Sequence, residues 1–291
     1  METRRSLIYG GLSLALLLIG IWLFAHPGVS AKAELPTTAE AIERGAYLAI
    51  AGGCISCHRG EDDPDSLSGG LGLETDFGTF YAPNITPDME TGIGSWDGHD
   101  FLLALKHGRT PSGNYYYPAF PYRAYAGLSD EEVLDIGAYL LSRPAVRNQV
   151  PAPETPFWLA RWTVVAWNML ADFSQPEQEV FENELVARGA YLARNLGHCG
   201  ECHTPRNGLG IPDFNREFAG STLGEETVEA IDAEALEGWT TNNLDLFLLI
   251  GLKPDGEFVG GDMNDVIEHN TSKISDEDRD ALAAYFTRHN Q

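Results

Sequence analysis

The sequence predicts an all-α protein in which one helical unit occurs twice in tandem behind an N-terminal apolar helix. Three observations carry this prediction. The hexad Arg44-Gly45-Ala46-Tyr47-Leu48-Ala49 recurs as Arg188-Gly189-Ala190-Tyr191-Leu192-Ala193. Each hexad is followed by a C-x-x-C-H run, Cys54-Ile55-Ser56-Cys57-His58 and Cys199-Gly200-Glu201-Cys202-His203. Apolar residues such as Val133, Ile136 and Leu140 recur at helical spacing, while alternating strand patterns are weak throughout. The expected divisions are 1–33 for the apolar leader, 34–144 and 185–291 for the two units, and 145–184 for the linker between them.

A C-x-x-C-H run reads as a site of covalent c-type haem attachment. One short turn presents two thiols to the two vinyl groups of one porphyrin, and the next residue offers an imidazole to the iron. The two runs use all four cysteines, so none remains for a disulfide or a catalytic thiol. A shared four-cysteine zinc site is the competing reading, but its C-x-x-C pairs usually lie about 15–20 residues apart. Here most of a domain separates them, and zinc does not require a histidine directly after each pair. The expected cofactors are two covalently bound haem c groups on Cys54, Cys57, His58, Cys199, Cys202 and His203. The irons would be bound by His58 and His203.

The chain begins with Arg4 and Arg5, then runs from Leu7 to Ala25 without a charge. As a helix that stretch would span about 28 Å, close to a bilayer core. A secretory signal usually has an apolar region of about 7–15 residues, so length favours a retained membrane anchor. The triplets Val29-Ser30-Ala31 and Ala31-Lys32-Ala33 leave signal cleavage open. In either case the arginines stay cytoplasmic and the rest of the chain crosses. Export also disfavours a reduced zinc site.

Within the body, the hexad predicts a helix with Tyr47 or Tyr191 and the following leucine turned to the haem. Trp96, Gly108 and Gly113 match Trp239, Gly251 and Gly256, each pair 143 residues apart. Leu128-Ser129-Asp130-Glu131-Glu132 matches Ile274-Ser275-Asp276-Glu277-Asp278. Both open helices, with a capping serine and acids in the first turn. Each unit therefore reads as N-terminal helix, haem turn, loop-rich middle, central helix, ligand loop and C-terminal helix. Between the units, Pro151, Pro153 and Pro156 mark a linker. Phe157 to Phe173, with Trp158, Trp162 and Trp167, is expected to form a short helix packed between the units.

An iron held by one histidine has a sixth position to fill, and a methionine there raises the potential and suits electron transfer. Met263 is the expected ligand of the second iron: it lies in a loop after the haem motif and before the last helix. The same register in the first unit lands on Phe120, in Tyr117-Pro118-Ala119-Phe120-Pro121-Tyr122. Phenylalanine cannot bind iron, so the first site is either open or served by Met89, His99, His107 or Met169.

The formal net charge is −24. Such a surface repels nucleic acid and anionic lipid, and steers a partner protein with a basic docking face. No dinucleotide fingerprint or nucleophile motif is present, which leaves the haems as the chemistry.

Taken together, the two C-x-x-C-H runs, Asn84-Ile85-Thr86-Pro87-Asp88, Thr91-Gly92-Ile93-Gly94-Ser95-Trp96, Tyr117-Pro118-Ala119-Phe120-Pro121-Tyr122 and Gly197-His198-Cys199-Gly200-Glu201-Cys202-His203-Thr204-Pro205-Arg206-Asn207 resemble class I cytochromes c. From about residue 40 to the end, the chain is similar to the cytochrome subunits of membrane-bound bacterial alcohol, gluconate and aldehyde dehydrogenases. That resemblance implies two tandem class I cytochrome c domains on the periplasmic side of the bacterial cytoplasmic membrane. A soluble periplasmic protein would result from signal cleavage. It also implies single-electron transport between a dehydrogenase or respiratory complex and a downstream acceptor, with no catalysis of the chain's own. Many members have Pro-Ala-Met-Pro where this chain has Pro-Ala-Phe-Pro. An open first iron would allow a different function, as a dihaem peroxidase, a thiosulfate-oxidising cytochrome or a sensor, with His99 or Arg123 over the iron.

Overall fold

Helix α1 (Ala39–Ala51) starts where Thr38 accepts a hydrogen bond from the Ala41 amide at 3.3 Å, with Glu40 in the first turn. The computed structural model that shows this describes residues 33–290, apart from Asp62 and Glu225. The expected anchor or signal segment, but for Ala33, therefore lies outside the described residues. Among the described residues no helix is long and apolar enough to cross a membrane.

The chain then forms α2 (Cys54–His58), a hairpin of β1 (Gly72–Thr75) and β2 (Gly78–Tyr81), α3 (Gly98–His107), α4 (Tyr122–Tyr125) and α5 (Asp130–Ser142). After α6 (Thr163–Ala171) the same order returns. It comprises α7 (Glu184–Tyr191), α8 (Gly200–His203), β3 (Ser221–Leu223), β4 (Glu226–Val228), α9 (Thr241–Ile250), α10 (Asp262–Val266) and α11 (Asp276–Phe286). A π turn, Leu192–Leu196, extends α7, and another, Ile267–Thr271, extends α10. Residues 33–290 pack as one unit.

The serines predicted as caps act as caps. Ser129 accepts from the Glu132 amide at 3.2 Å and Glu132 accepts from the Ser129 amide at 2.8 Å, a reciprocal capping box on α5. Ser275 accepts from the Asp278 amide at 3.2 Å on α11. Helices α3 and α9 stop at Gly108 and Gly251, at φ +61° and +74°. This is the left-handed region in which only glycine is free of Cβ strain.

The core lies where α1 crosses α5 and where α7 crosses α11. Gly45 and Gly189 are the points of contact: a Cβ at Gly45 would strike the Asp135 carbonyl, and one at Gly189 the Ala281 carbonyl. The hexad arginines clamp the same crossings, Arg44 to Asp135 at 2.7 Å and Arg188 to Asp278 at 2.8 Å. Phe101, Val133 and Ile136 are buried in the first half, and Leu192, Leu196, Ala281 and Tyr285 in the second.

The structure departs from the sequence reading in four places. Two short antiparallel hairpins exist, with Gly72 opposite Tyr81 and Ser221 opposite Val228. Strands of three or four residues, exposed or half-exposed, carry too little alternation to be read. Helix α6 begins at Thr163 and is shorter than expected, with Trp158 and Trp162 53% and 74% exposed. Of the three tryptophans, Trp167 reaches across, its indole N–H donating to the Leu209 carbonyl at 2.8 Å. The linker also folds back on the first half. Asn84 and Thr86 donate to the Val146 carbonyl at 2.8 and 3.1 Å, and Thr79 and Glu154 exchange backbone bonds at 2.9 and 3.1 Å.

The fourth departure concerns the hexad tyrosines, which reach across to the other half. Tyr47 donates to Asp278 at 2.5 Å, and Tyr191 donates to Glu132 at 2.7 Å. These two acids occupy matching positions, so the exchange is reciprocal. Its physical cause is pairing: a phenol against a carboxylate satisfies both groups as they leave water.

Candidate functional site

Each C-x-x-C-H run forms a single helical turn at the end of a helix buried at a crossing. In the first half, α1 ends at Gly52, and Gly53 at φ +67° turns the chain into α2. In the second half the π turn, Gly197 and His198 make the same bend into Cys199 and α8. None of the four cysteines pairs with another in a disulfide. Burial pushes the Cys54 and Cys199 thiols up to about 12. Among the described residues no cluster of three or more His, Cys, Asp or Glu is placed to hold a metal ion by itself.

The histidines supply the test of fit to a haem. His58 Nδ1 lies 2.8 Å from the Pro83 carbonyl, and His203 Nδ1 lies 2.7 Å from the Glu229 carbonyl. A carbonyl can only accept, so Nδ1 carries the proton in both rings and Nε2 keeps its lone pair. Burial holds both rings below the ordinary histidine value, against the pull of those carbonyls, and therefore neutral. A neutral imidazole, oriented through Nδ1–H and basic at Nε2, is what an iron ligand requires. Two thiols and one such nitrogen on one turn fit one haem, and the chain has two such turns. When bound, the haem supplies a reversible one-electron couple at its iron. Pro83 and Glu229 were not legible as functional positions, because a main-chain carbonyl leaves no mark in the sequence. The hairpin before each delivers the carbonyl to the ring, and its strands are too short to have been read.

The register of the ligand loops agrees with the sequence. Tyr116 donates its amide to the Gly108 carbonyl at 2.7 Å, and Val259 does so to Gly251 at 2.9 Å. Beyond these bonds, Met263 stands half-buried in the first turn of α10, and Phe120 stands two residues before α4. Phe120 packs among Tyr116, Tyr122 and Tyr125, with ring centroids 5.5, 6.3 and 5.8 Å away. Of the other candidates, Met89 is 70% exposed on the turn after Pro87, and Met169 is 47% exposed on α6. His99 lies in the first turn of α3, and His107 is its last residue. None of the four shares the loop position that Phe120 holds. Arg123 is not aimed at that position either: it pairs with Asp172 at 3.0 Å.

The two attachment turns approach each other. Tyr125 donates to the Gly52 carbonyl at 2.6 Å, and its ring meets His198 edge-on at 5.4 Å. Asn270 donates to the Ala51 carbonyl at 3.2 Å. Arg59, next to His58, pairs with Asp265 of α10 at 2.8 Å. The Met263 helix is thus tied to the first attachment turn.

Comparison with known proteins agrees with this geometry. The family model for cytochrome c matches residues 42–144. A protein of Cereibacter sphaeroides named diheme cytochrome c-type is 41% identical over 98% of both chains. The cytochrome c subunit of gluconate 2-dehydrogenase from Pantoea cypripedii is 36% identical over 84% of this chain and 58% of its own length. The cytochrome subunit of fructose dehydrogenase from Gluconobacter japonicus is 34% identical over 91% of this chain and 57% of its own. The chain therefore spans nearly all of the first relative and little more than half of the other two. With its thiol pairs and oriented histidines, the chain belongs to the cytochrome c family, as an electron-transfer protein and not a catalytic subunit.

Proposed function

We propose that this protein is a dihaem c-type cytochrome that carries single electrons on the periplasmic side of the membrane. Cys54, Cys57 and His58 hold one haem c; Cys199, Cys202 and His203 hold the other. Met263 is the sixth ligand of the second iron. Residues 34–144 and 185–291 act as two tandem cytochrome c domains. The electron donor is a dehydrogenase or respiratory complex, as the names of the relatives suggest, and the acceptor lies downstream. The observation that carries this reading is the matched pair His58 Nδ1–Pro83 O and His203 Nδ1–Glu229 O, which leaves two Nε2 lone pairs for two irons.

The protein's own part is to fix and tune. The carbonyls set the tautomer and plane of each ring, the buried crossings at Gly45 and Gly189 set the position of each turn, and Met263 sets the potential of the second site. The net charge of −24 favours a partner with a basic docking face. The Leu7–Ala25 stretch would keep the protein at the membrane if it is not cleaved.

A second reading concerns the first site alone. Phe120 stands where Met263 stands in the second half, so the first iron would be open to small ligands. The test for both is maturation in a haem-loading host, followed by mass measurement, optical spectra and EPR, with and without carbon monoxide. Two haems, both low-spin and slow toward carbon monoxide, support the electron carrier and remove the open-site reading. One high-spin iron that binds carbon monoxide supports the open site. A mature chain without two haems refutes the dihaem assignment.

A further inference from the structure

His198 is the residue the reading above leaves without a task. It occupies the bend before Cys199, where the first half has Gly53. Gly53 adopts φ +67° as glycine readily does; His198 is forced to φ +41°, in the region that side chains avoid. Backbone strain at a non-glycine residue is unfavourable and persists where surrounding contacts hold it. Glycine at 198 would relieve that strain, so the side chain must be held by what it touches.

It touches the other half. The ring reaches Gly52, with Nε2 3.3 Å from the carbonyl oxygen. That carbonyl can only accept, so Nε2 bears the proton. The ring is half-buried against Tyr125, and loss of water holds it below the ordinary histidine value, so it is neutral. A Cβ built on Gly53 would lie 3.6 Å from the same Nε2, which shows how closely the ring approaches the chain just before Cys54. From Cys199 the route runs through one peptide to His198, across one hydrogen bond to Gly52, and through Gly53 to Cys54. It joins the first thioether position of one attachment turn to the first thioether position of the other.

We propose that His198 is the bridge that couples the two haems electronically, a positioning residue that closes the route between Cys199 and Cys54. The proposal rests on the dihaem reading above. The step moves one electron: one iron loses it as the other gains it, no bond forms or breaks, and His198 keeps its proton.

The experiment is His198→Gly in the mature, haem-loaded full chain. Glycine suits the backbone there, so folding is retained, which thermal unfolding checks. Haem content by mass and the midpoint potential of each haem are measured first. One haem is then reduced by a light-triggered one-electron donor, and equilibration between the haems is followed optically. The expected result is two haems, unchanged potentials and loss of the fast equilibration phase. His198→Gln, whose amide can also donate to Gly52, should restore part of it. Tyr125→Phe, which removes the other donor to Gly52, should leave the phase in place. An unchanged fast phase in His198→Gly overturns the proposal. So does loss of that phase accompanied by a shifted potential, since His198 would then act through the haem sites. A wild-type chain with one haem refutes the dihaem reading itself, whatever the variants do.

Discussion

Gly45→Ala is the sharpest probe of how the attachment turns are held. Helix α1 carries the chain into the first turn, and its position is set by direct contact with the backbone of α5. A methyl at Gly45 would fall well inside the 3.0 Å limit from the Asp135 carbonyl and 2.9 Å from the Tyr139 Cβ. Both obstacles are fixed parts of α5, one a backbone oxygen and the other the root of a side chain, so neither can swing aside. On an isolated helix the change would stabilise by about 0.8–1.0 kcal/mol. Overpacking of a close crossing costs about 1–3 kcal/mol, and a clash with backbone belongs at the upper end. The net expectation is destabilisation of about 2 kcal/mol, or a Tm lower by about 4–8 °C for a chain of this size. Gly189→Ala should act alike, since its methyl would meet the Ala281 carbonyl and lie 2.6 Å from the Tyr285 Cβ. Thermal unfolding followed by far-ultraviolet circular dichroism measures the effect. A raised Tm for either variant would mean that helix propensity dominates and that the crossings are looser than described, which refutes the reasoning.

Met263→Ala should turn the second iron high-spin and lower its midpoint potential, read by EPR and a redox titration; an unchanged spectrum would remove Met263 as ligand. Burial works to raise Asp278, but the hydrogen bonds from Arg188 and Tyr47 outweigh it and hold the carboxyl below the ordinary 3.8. A carboxyl with a depressed value adds stability that is complete above its unfolded value and is lost as pH falls through its folded one. Stability should therefore drop as pH falls below about 4, and Asp278→Asn should be less stable at neutral pH with a flatter acid limb, measured by urea unfolding across pH. Association with a basic redox partner should slow steeply as salt rises from low to physiological levels, read by stopped flow; a rate indifferent to salt would exclude steering by the acidic surface.

Much of this molecule is visible in its residues. The C-x-x-C-H runs mark the attachment turns, Ser129 and Ser275 mark helix starts, and Gly108 and Gly251 mark helix ends, because each meets a local requirement that few residue types satisfy. The hexad was legible as a helix, but the reason for its glycine was not: Gly45 and Gly189 answer to a carbonyl some ninety residues away. The partners of Tyr47 and Tyr191 were hidden for the same reason, since Asp278 and Glu132 lie in the other half. Pro83 and Glu229 act through main-chain oxygens, which any residue possesses. His198 did carry a signal. Aligning the two runs sets it opposite Gly53, and a histidine opposite a glycine at a bend asks for an explanation.

The reciprocal tyrosines have a consequence for motion. Tyr47 with Asp278 and Tyr191 with Glu132 form an isologous pairing, the kind found across the two-fold axis of a dimer, here enclosed within one chain. Moving the halves straight apart must break both bonds together. Together with the bonds that reach Ala51 and Gly52, the matched pair resists separation of the halves and so helps to set the spacing of the attachment turns. On the dihaem reading, transfer between the turns across this spacing should then depend little on solvent viscosity.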